Sequence, residues 1–331
     1  MTAPSVGFRR LALGTAVATF LLIVLGGVVR VSDSGLGCGP GGSGLHGWPL
    51  CKGDVVPGFS LNTAIEYAHR TVASLVGVLI LALAVLAWRR HRSHRGLVRA
   101  TVAAAVLVMV QGLLGAATVE EDLGEPLVAA HLGAAMLLLT VVLYVWRASR
   151  PESIGAPPAD GGPRLRQLAL GAQGLLLCTI VAGGYMAGTQ HYGRSDYRPG
   201  DGAHHACGRE FPTCNDGFLP FGHSRLVDIH LTHRVFMYLA SVAILALVVV
   251  ALRRRPSGGV TRAAWAMAGL LVVQILVGAL NVWLEEYELL ILAHLTLATL
   301  LWAAASMLSL QLYSIPAPVP ERSGRAAAAT A

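Results

Sequence analysis

Apolar residues run along this chain in stretches longer and more uniform than the surface helices of a soluble domain, and polar residues gather between them. A helix needs roughly 20 apolar residues to cross about 30 Å of hydrocarbon. The pattern predicts such spans at 8–29, 63–88, 100–119, 126–147, 166–187, 227–252, 263–283 and 287–312. The expected fold class is an all-α integral membrane protein with eight transmembrane helices. The first span follows only Arg9 and Arg10 and has no small-residue cleavage site before the next polar stretch, so it reads as a retained helix and not as a signal peptide. The segment 148–164, rich in Pro, Gly and Ala, reads as a linker, and 314–331 reads as a disordered tail.

The pattern also repeats. IEYAHR, ending at Arg70, matches DIHLTHR, ending at Arg234, at an offset of 164; VQGLLGA (110–116) matches VQILVGA (273–279), and VAAHLGAA (128–135) matches ILAHLTLA (291–298), both at 163. Each copy holds an even number of spans, so both enter the membrane from the same side. The expected architecture is two parallel-repeat four-helix bundles, 1–147 and 165–313, related by an axis along the membrane normal.

Composition agrees with the membrane class: 54% of the 331 residues are hydrophobic and 13% are charged, and mean hydropathy is +0.61. The net charge of +7 does not indicate nucleic acid, because the basic residues crowd into short loops. Arg89 to Arg99, Arg147 to Arg166 and Arg253 to Arg262 bracket three of these loops. Positive charge marks the cytoplasmic side, which places these loops and both termini there in a cell membrane. The opposite face then carries two long loops, 30–62 and 188–226, and two short acidic ones around Glu120–Glu125 and Glu285–Glu288. Four of the five cysteines fall in the long loops as Cys38 with Cys51 and Cys207 with Cys214. An oxidising outer compartment predicts one disulfide per loop. Cys178, inside a span, is expected to be a small buried hydrophobe.

Candidate chemistry enters with four histidines at matching places in the repeat: His69 and His131, then His233 and His294. Each lies about 10 Å below the outer surface at roughly 1.5 Å per residue. A lone intramembrane histidine is more often a hydrogen-bonded residue or part of a proton path. Four at one depth, placed by a repeat, point to a cofactor framework, with haem iron taking axial histidines from facing helices. Structural zinc would prefer sulfur or a tighter cluster. Arg70 and Arg234, beside two of the histidines, and Arg30 at the end of the first span either snorkel to the interface or pair with haem propionates.

The repeat breaks where Glu66 falls opposite His230. Glu66 shares a helix face with His69, so it is either a solvated end residue or the mark of proton-coupled chemistry in one half only. Gly26-Gly27, Gly112, Gly115, Gly183-Gly184 and Gly278 are read first as close-packing sites and second as room for a flat macrocycle. Gln111 and Gln274, again repeat-related, are expected to bond across helices. The loop histidines His46, His191, His204, His205 and His223 are expected to be solvated, with copper at His204-His205 the less favoured alternative.

These residues resemble the haem A synthase family, whose members convert haem O to haem A for terminal oxidases. The resemblance covers roughly 8–312 and rests on Glu66-x-x-His69-Arg70, on Arg30-Val31-Ser32-Asp33-Ser34-Gly35-Leu36-Gly37-Cys38 with Trp48-Pro49-Leu50-Cys51, and on His131, His233 and His294 in order. It implies a resident haem b on His233 and His294, the substrate haem O on His69 and His131, and an essential Glu66. It also implies disulfides Cys38–Cys51 and Cys207–Cys214, substrate supplied by a farnesyltransferase (haem O synthase), and an unidentified electron donor. The main rival is a di-haem cytochrome b carrying electrons from a quinol, which needs the same four histidines but no asymmetric carboxylate. A transporter ranks last, because the ionisable residues cluster at the outer interface and not at the midplane.

Overall fold

The computed structural model describes residues 3–159, 162–190, 202–254, 256–284 and 288–317. His191, Arg255, Glu285, Glu286 and the tail from 318 onward lie outside the described residues. The described residues form eight long helices: α1 Val6–Val31, α2 Leu61–Arg90, α3 Arg95–Glu120, α4 Glu125–Ala148, α5 Gly162–Gly188, α6 Arg225–Arg254, α7 Gly258–Trp283 and α8 Glu288–Gln311. All eight are long and apolar enough to cross a membrane. Among the described residues there is no β-strand, only isolated bridges such as Cys51 with Asp54.

Most of the helices run a few residues past the apolar stretches that predict them. The backbone keeps its hydrogen bonds through the polar end turns, where caps satisfy the first free amides. Ser5, Ser60 and Ser257 accept from the amides of Phe8, Thr63 and Val260 at 3.2, 3.4 and 3.3 Å. Arg89 and Arg90, and Arg253 and Arg254, close α2 and α6, where positive charge suits the carbonyl end of the helix dipole. Within the spans, hydroxyls bond back to the preceding turn, as Thr15 does to Leu11 O and Thr19 to Thr15 O at 2.8 Å each. No polar group is then left facing hydrocarbon at these sites.

Helix α1 packs on α2 and α4, and α3 packs on both α2 and α4; the same neighbour pattern recurs among α5 to α8. The two sets meet through α4 with α5, α1 with α8, and α4 with α8. Small residues permit these crossings. A Cβ at Gly27 would lie 2.6 Å from Leu295 Cδ2, and one at Gly184 would lie 3.2 Å from Leu132 Cδ2 and 3.3 Å from Ala129 Cα. Gly188 meets Glu125 in the same way. Trp302 is buried where α8 crosses α4 and donates its indole N–H to Met136 O at 2.7 Å.

On the basic side the linker and the start of the tail are joined. Gly155 donates to Ile315 O at 2.9 Å, Ala159 to Gln311 O at 3.1 Å, and Arg147 to Tyr313 O at 3.2 Å. Ile315 is buried with Phe8, Leu97 and Val145. The start of the tail, 314–317, is thus held against the helices, because one apolar side chain finds a core to enter.

Both loop disulfides are formed, Cys38–Cys51 and Cys207–Cys214. Cys178 corrects an expectation: it is a free thiol exposed on α5, not a buried hydrophobe. In a membrane helix the outward face is as apolar as the inward one, so an apolar neighbourhood in sequence did not tell which way it points. Alkylation of denatured, unreduced protein should label Cys178 alone, and reduction should expose the other four. A labelled Cys38, Cys51, Cys207 or Cys214 before reduction would contradict the pairing.

Candidate functional site

The four intramembrane histidines sit about two turns inside the loop-bearing ends of α2, α4, α6 and α8. His131 lies near His69, and His233 near His294, so the two histidines of each half are neighbours. Each imidazole lies against a glycine of the helix before it in the chain. An added Cβ would stand 3.3 Å from His69 Nε2 at Gly26, 3.3 Å from His131 Cε1 at Gly115, 3.1 Å from His233 Cε1 at Gly183 and 2.9 Å from His294 Cε1 at Gly278. Any larger residue at these four positions would push the ring aside. The reading of these glycines as generic packing sites thus divides: Gly27 and Gly184 join helices, whereas Gly26, Gly115, Gly183 and Gly278 seat imidazoles. Gly112 does neither, since nothing lies within 4 Å of its would-be Cβ.

The rings differ in how they are held. His233 Nδ1 is 3.0 Å from Thr179 O. A carbonyl only accepts, so that nitrogen carries the proton and Nε2 keeps the lone pair that can bind a metal. The Gln274 carboxamide lies 3.2 Å from His294 Nδ1 and 3.1 Å from its Nε2, the bond across helices expected of it. In the first half, His131 Nδ1 and Gln111 Oε1 are both buried without a hydrogen-bond partner. Gln274 Oε1 is unpartnered as well, so the halves differ in the amide nitrogen, which reaches the ring at His294 and leaves His131 Nδ1 without a partner.

Above each pair lies a disulfide-closed loop, anchored by the arginine next to the α2 or α6 histidine. Arg70 donates to Gly47 O at 2.6 Å and Leu50 O at 3.0 Å. Arg234, itself buried, donates to Thr213 O at 2.7 Å, Glu210 O at 2.8 Å and Pro212 O at 3.4 Å. Both side chains are thus turned to loop carbonyls. Arg30 donates to Ala187 O and to Gln190 O, the latter at 2.6 Å, so it ties the end of α1 to the second long loop.

Glu66 is 3% exposed and not a solvated end residue. Its Oε2 accepts from the Cys38 amide at 2.7 Å and its Oε1 pairs with Arg70 Nη2 at 2.5 Å. Opposite it in the repeat, His230 is also buried and its Nδ1 donates to Ala203 O at 2.7 Å. Both residues hold a loop down, one through a carboxyl group and the other through an imidazole. His204 departs from the solvated expectation: burial first, then the nearby His230, Arg30 and His233, hold its imidazole well below the usual histidine range. His46 and His223 are exposed, as expected of loop histidines.

The loops repeat as well, which the helix-centred sequence reading did not use. Trp48-Pro49-Leu50-Cys51 corresponds to Phe211-Pro212-Thr213-Cys214 at the same offset of 163, and it places Gly47 with Glu210 and Leu50 with Thr213 as the carbonyls bound by Arg70 and Arg234. That match was the available signal for the anchoring role of both arginines.

The donor set suits a flat macrocycle with two axial ligands. The histidines come two to each half, each backed by bare backbone, with unpartnered buried polar atoms at His131, Gln111 and Gln274. Among the described residues no group of three or more His, Cys, Asp or Glu side chains converges as a direct metal site. A haem brings its own four equatorial nitrogens and needs two from the protein.

Comparison with known proteins points the same way. The profile of the COX15-CtaA family, described as cytochrome oxidase assembly protein, matches residues 58–306. The chain is 32% identical over 240 residues to the haem A synthase of Halalkalibacterium halodurans, covering 72% of each chain. It is 29% identical over 301 residues to that of Alkalihalophilus pseudofirmus, covering 89% of this chain and 94% of the relative. With that of Symbiobacterium thermophilum it shares 31% over 282 residues, 82% and 84% of the two chains.

Proposed function

The chain belongs to the cytochrome oxidase assembly protein family, and from that premise we propose that it is a haem A synthase, a membrane oxidoreductase that converts a ring methyl of haem O to a formyl group through hydroxylated intermediates. The observation that supports this reading is one plan laid down twice, imidazole pairs seated on glycine, with different chemistry around each copy. In this assignment His233 and His294 hold a resident haem b, which supplies one-electron transfer next to the substrate. His233 suits permanent ligation, because its proton is committed to Thr179 O. His69 and His131 receive haem O. His131 has no partner fixing its Nδ1, as suits a ring that binds a molecule which must also leave.

Glu66 lies on the His69 side of this first site and is held by Arg70 and the Cys38 amide. An anion there can accept protons released as the methyl carbon is oxidised, or stabilise positive charge on the ring. The second half has His230 in that place. Arg30, Arg70 and Arg234 lie at the loop-bearing ends of the spans, where haem propionates would meet their guanidinium groups. The farnesyl tail of haem O is matched by the apolar spans. The proposed orientation has both termini cytoplasmic and the disulfide loops outside the cell membrane, with haem O passed on from a farnesyltransferase and electrons from a separate donor.

Pigments extracted from protein purified out of cells that make haem O test the assignment. Haem B accompanied by haem O or haem A is expected. Haem B alone, at two per chain, would replace this reading with that of a di-haem cytochrome b.

A further inference from the structure

The two halves carry the same carboxamide and use it differently. Gln274 and Gly278 lie about one turn apart on α7 and both meet the His294 ring, the amide at its nitrogens and the glycine under Cε1. Gln111 and Gly115 hold the matching positions on α3. Gly115 lies under His131 Cε1 in the same way, and both carboxamide oxygens are unpartnered, but only the Gln274 amide nitrogen reaches its ring, and His131 Nδ1 remains without a partner. One hydrogen bond thus separates two otherwise matching seats.

We propose that Gln274 is a positioning residue that fixes the tautomer and rotation of His294, and through them the retention and reduction potential of the resident haem. The inference rests on the assignment of haem b to His233 and His294. An imidazole that binds iron through Nε2 carries its proton on Nδ1 and is steadied by an acceptor for that proton. For His233 the acceptor is the Thr179 carbonyl. For His294 the group within reach is the Gln274 carboxamide, whose Oε1 is buried without a partner. Half a turn about the terminal torsion exchanges the two ends of an amide with almost no change of shape. That turn sets Oε1 where the amide nitrogen stands, 3.2 Å from Nδ1 and 3.1 Å from Nε2, so that it can accept from Nδ1–H once Nε2 is turned to the iron. The acceptor strength at position 274 then tunes the ligand, since a stronger acceptor makes the ring more anionic and favours ferric iron.

The test uses full-length purified protein carrying Gln274→Met, Gln274→Glu or Gln111→Met, with His294→Ala as reference. Haem b affinity is read by transfer to a haem-scavenging apoprotein, the midpoint potential by redox titration, and the axial ligand field by low-temperature electron paramagnetic resonance. Gln274→Met keeps the side chain's length but loses the acceptor; it should weaken haem b binding about 10–100-fold and raise the potential. Gln274→Glu should keep the haem and lower the potential. Gln111→Met should change neither. Shifts of opposite sign at one position would not arise from loosened packing, and if one of the two Gln274 variants does not fold, the other still gives a signed shift. Unchanged affinity and potential in the Gln274 variants, with haem b lost on His294→Ala, would overturn the inference alone. Haem b retained on His294→Ala would remove the assignment beneath it.

Discussion

Glu66→Gln should reach the membrane in normal amounts, keep its haem b and both disulfides, and form about 10²–10⁴-fold less haem A, the range lost when a positioned acid or base is removed. Glutamine preserves the length of the side chain and one oxygen acceptor, enough to go on receiving either the Cys38 amide or Arg70 Nη2, which Glu66 now holds at 2.7 and 2.5 Å. What it removes is the charge. The contrast with Glu66→Ala separates chemistry from anchoring: alanine also leaves a largely buried Arg70 without its carboxylate and releases the Cys38 end of the loop. Breaking a buried pair by deleting one partner costs about 3–5 kcal/mol. The alanine variant should therefore be less stable and its first loop more open to protease, whereas the glutamine variant should be catalytically silent and intact. Haem A formed at the normal rate by Glu66→Gln, in cells supplied with haem O, would reduce Glu66 to a loop anchor like His230.

His294→Ala should empty the second site, lowering haem b content about tenfold or more and abolishing haem A formation with it. His233 alone cannot supply both axial nitrogens. Gly278→Ala should act in the same direction with a smaller effect, because its methyl group would land 2.9 Å from His294 Cε1 and displace the ring. Gly112→Ala is the control on the other side of the repeat, with open space around the new methyl. Haem content and the low-spin absorption spectrum of the three purified variants check the order. A His294→Ala protein with full haem b would place the resident cofactor elsewhere, and equal losses from both glycine variants would mean that the seats are not specific.

The candidate residues were legible in sequence for a reason of cost. An imidazole or carboxylate is expensive inside an apolar helix, so His69, His131, His233, His294 and Glu66 stand out against their surroundings, and the repeat aligns them without any structure. Their partners were harder to see. Thr179 acts through its main-chain carbonyl, which no side chain announces, and Gly26 and Gly183 look the same in sequence as Gly27 and Gly184, which only join helices. Arg70 and Arg234 read equally well as snorkelling residues or propionate partners, and their bonds to Gly47, Leu50, Glu210 and Thr213 were visible only in the tertiary structure.

By itself the sequence determined the eight spans, the repeat, the depth of the histidines and the cysteines available to each loop, since these follow from length, spacing and the price of polar groups in hydrocarbon. Tertiary structure decided which face of each helix turns inward. Lipid and protein interior are equally apolar, so an amphipathic stripe does not mark the buried side as it would in water. Cys178 on the outer face of α5, Gly112 in open space and the four glycines under the imidazoles all fall on this distinction. The unequal fates of Gln111 and Gln274, identical in the repeat, fall on it too. Whether a side chain meets its partner depends on distances of a few tenths of an ångström between helices, and a linear pattern does not encode them.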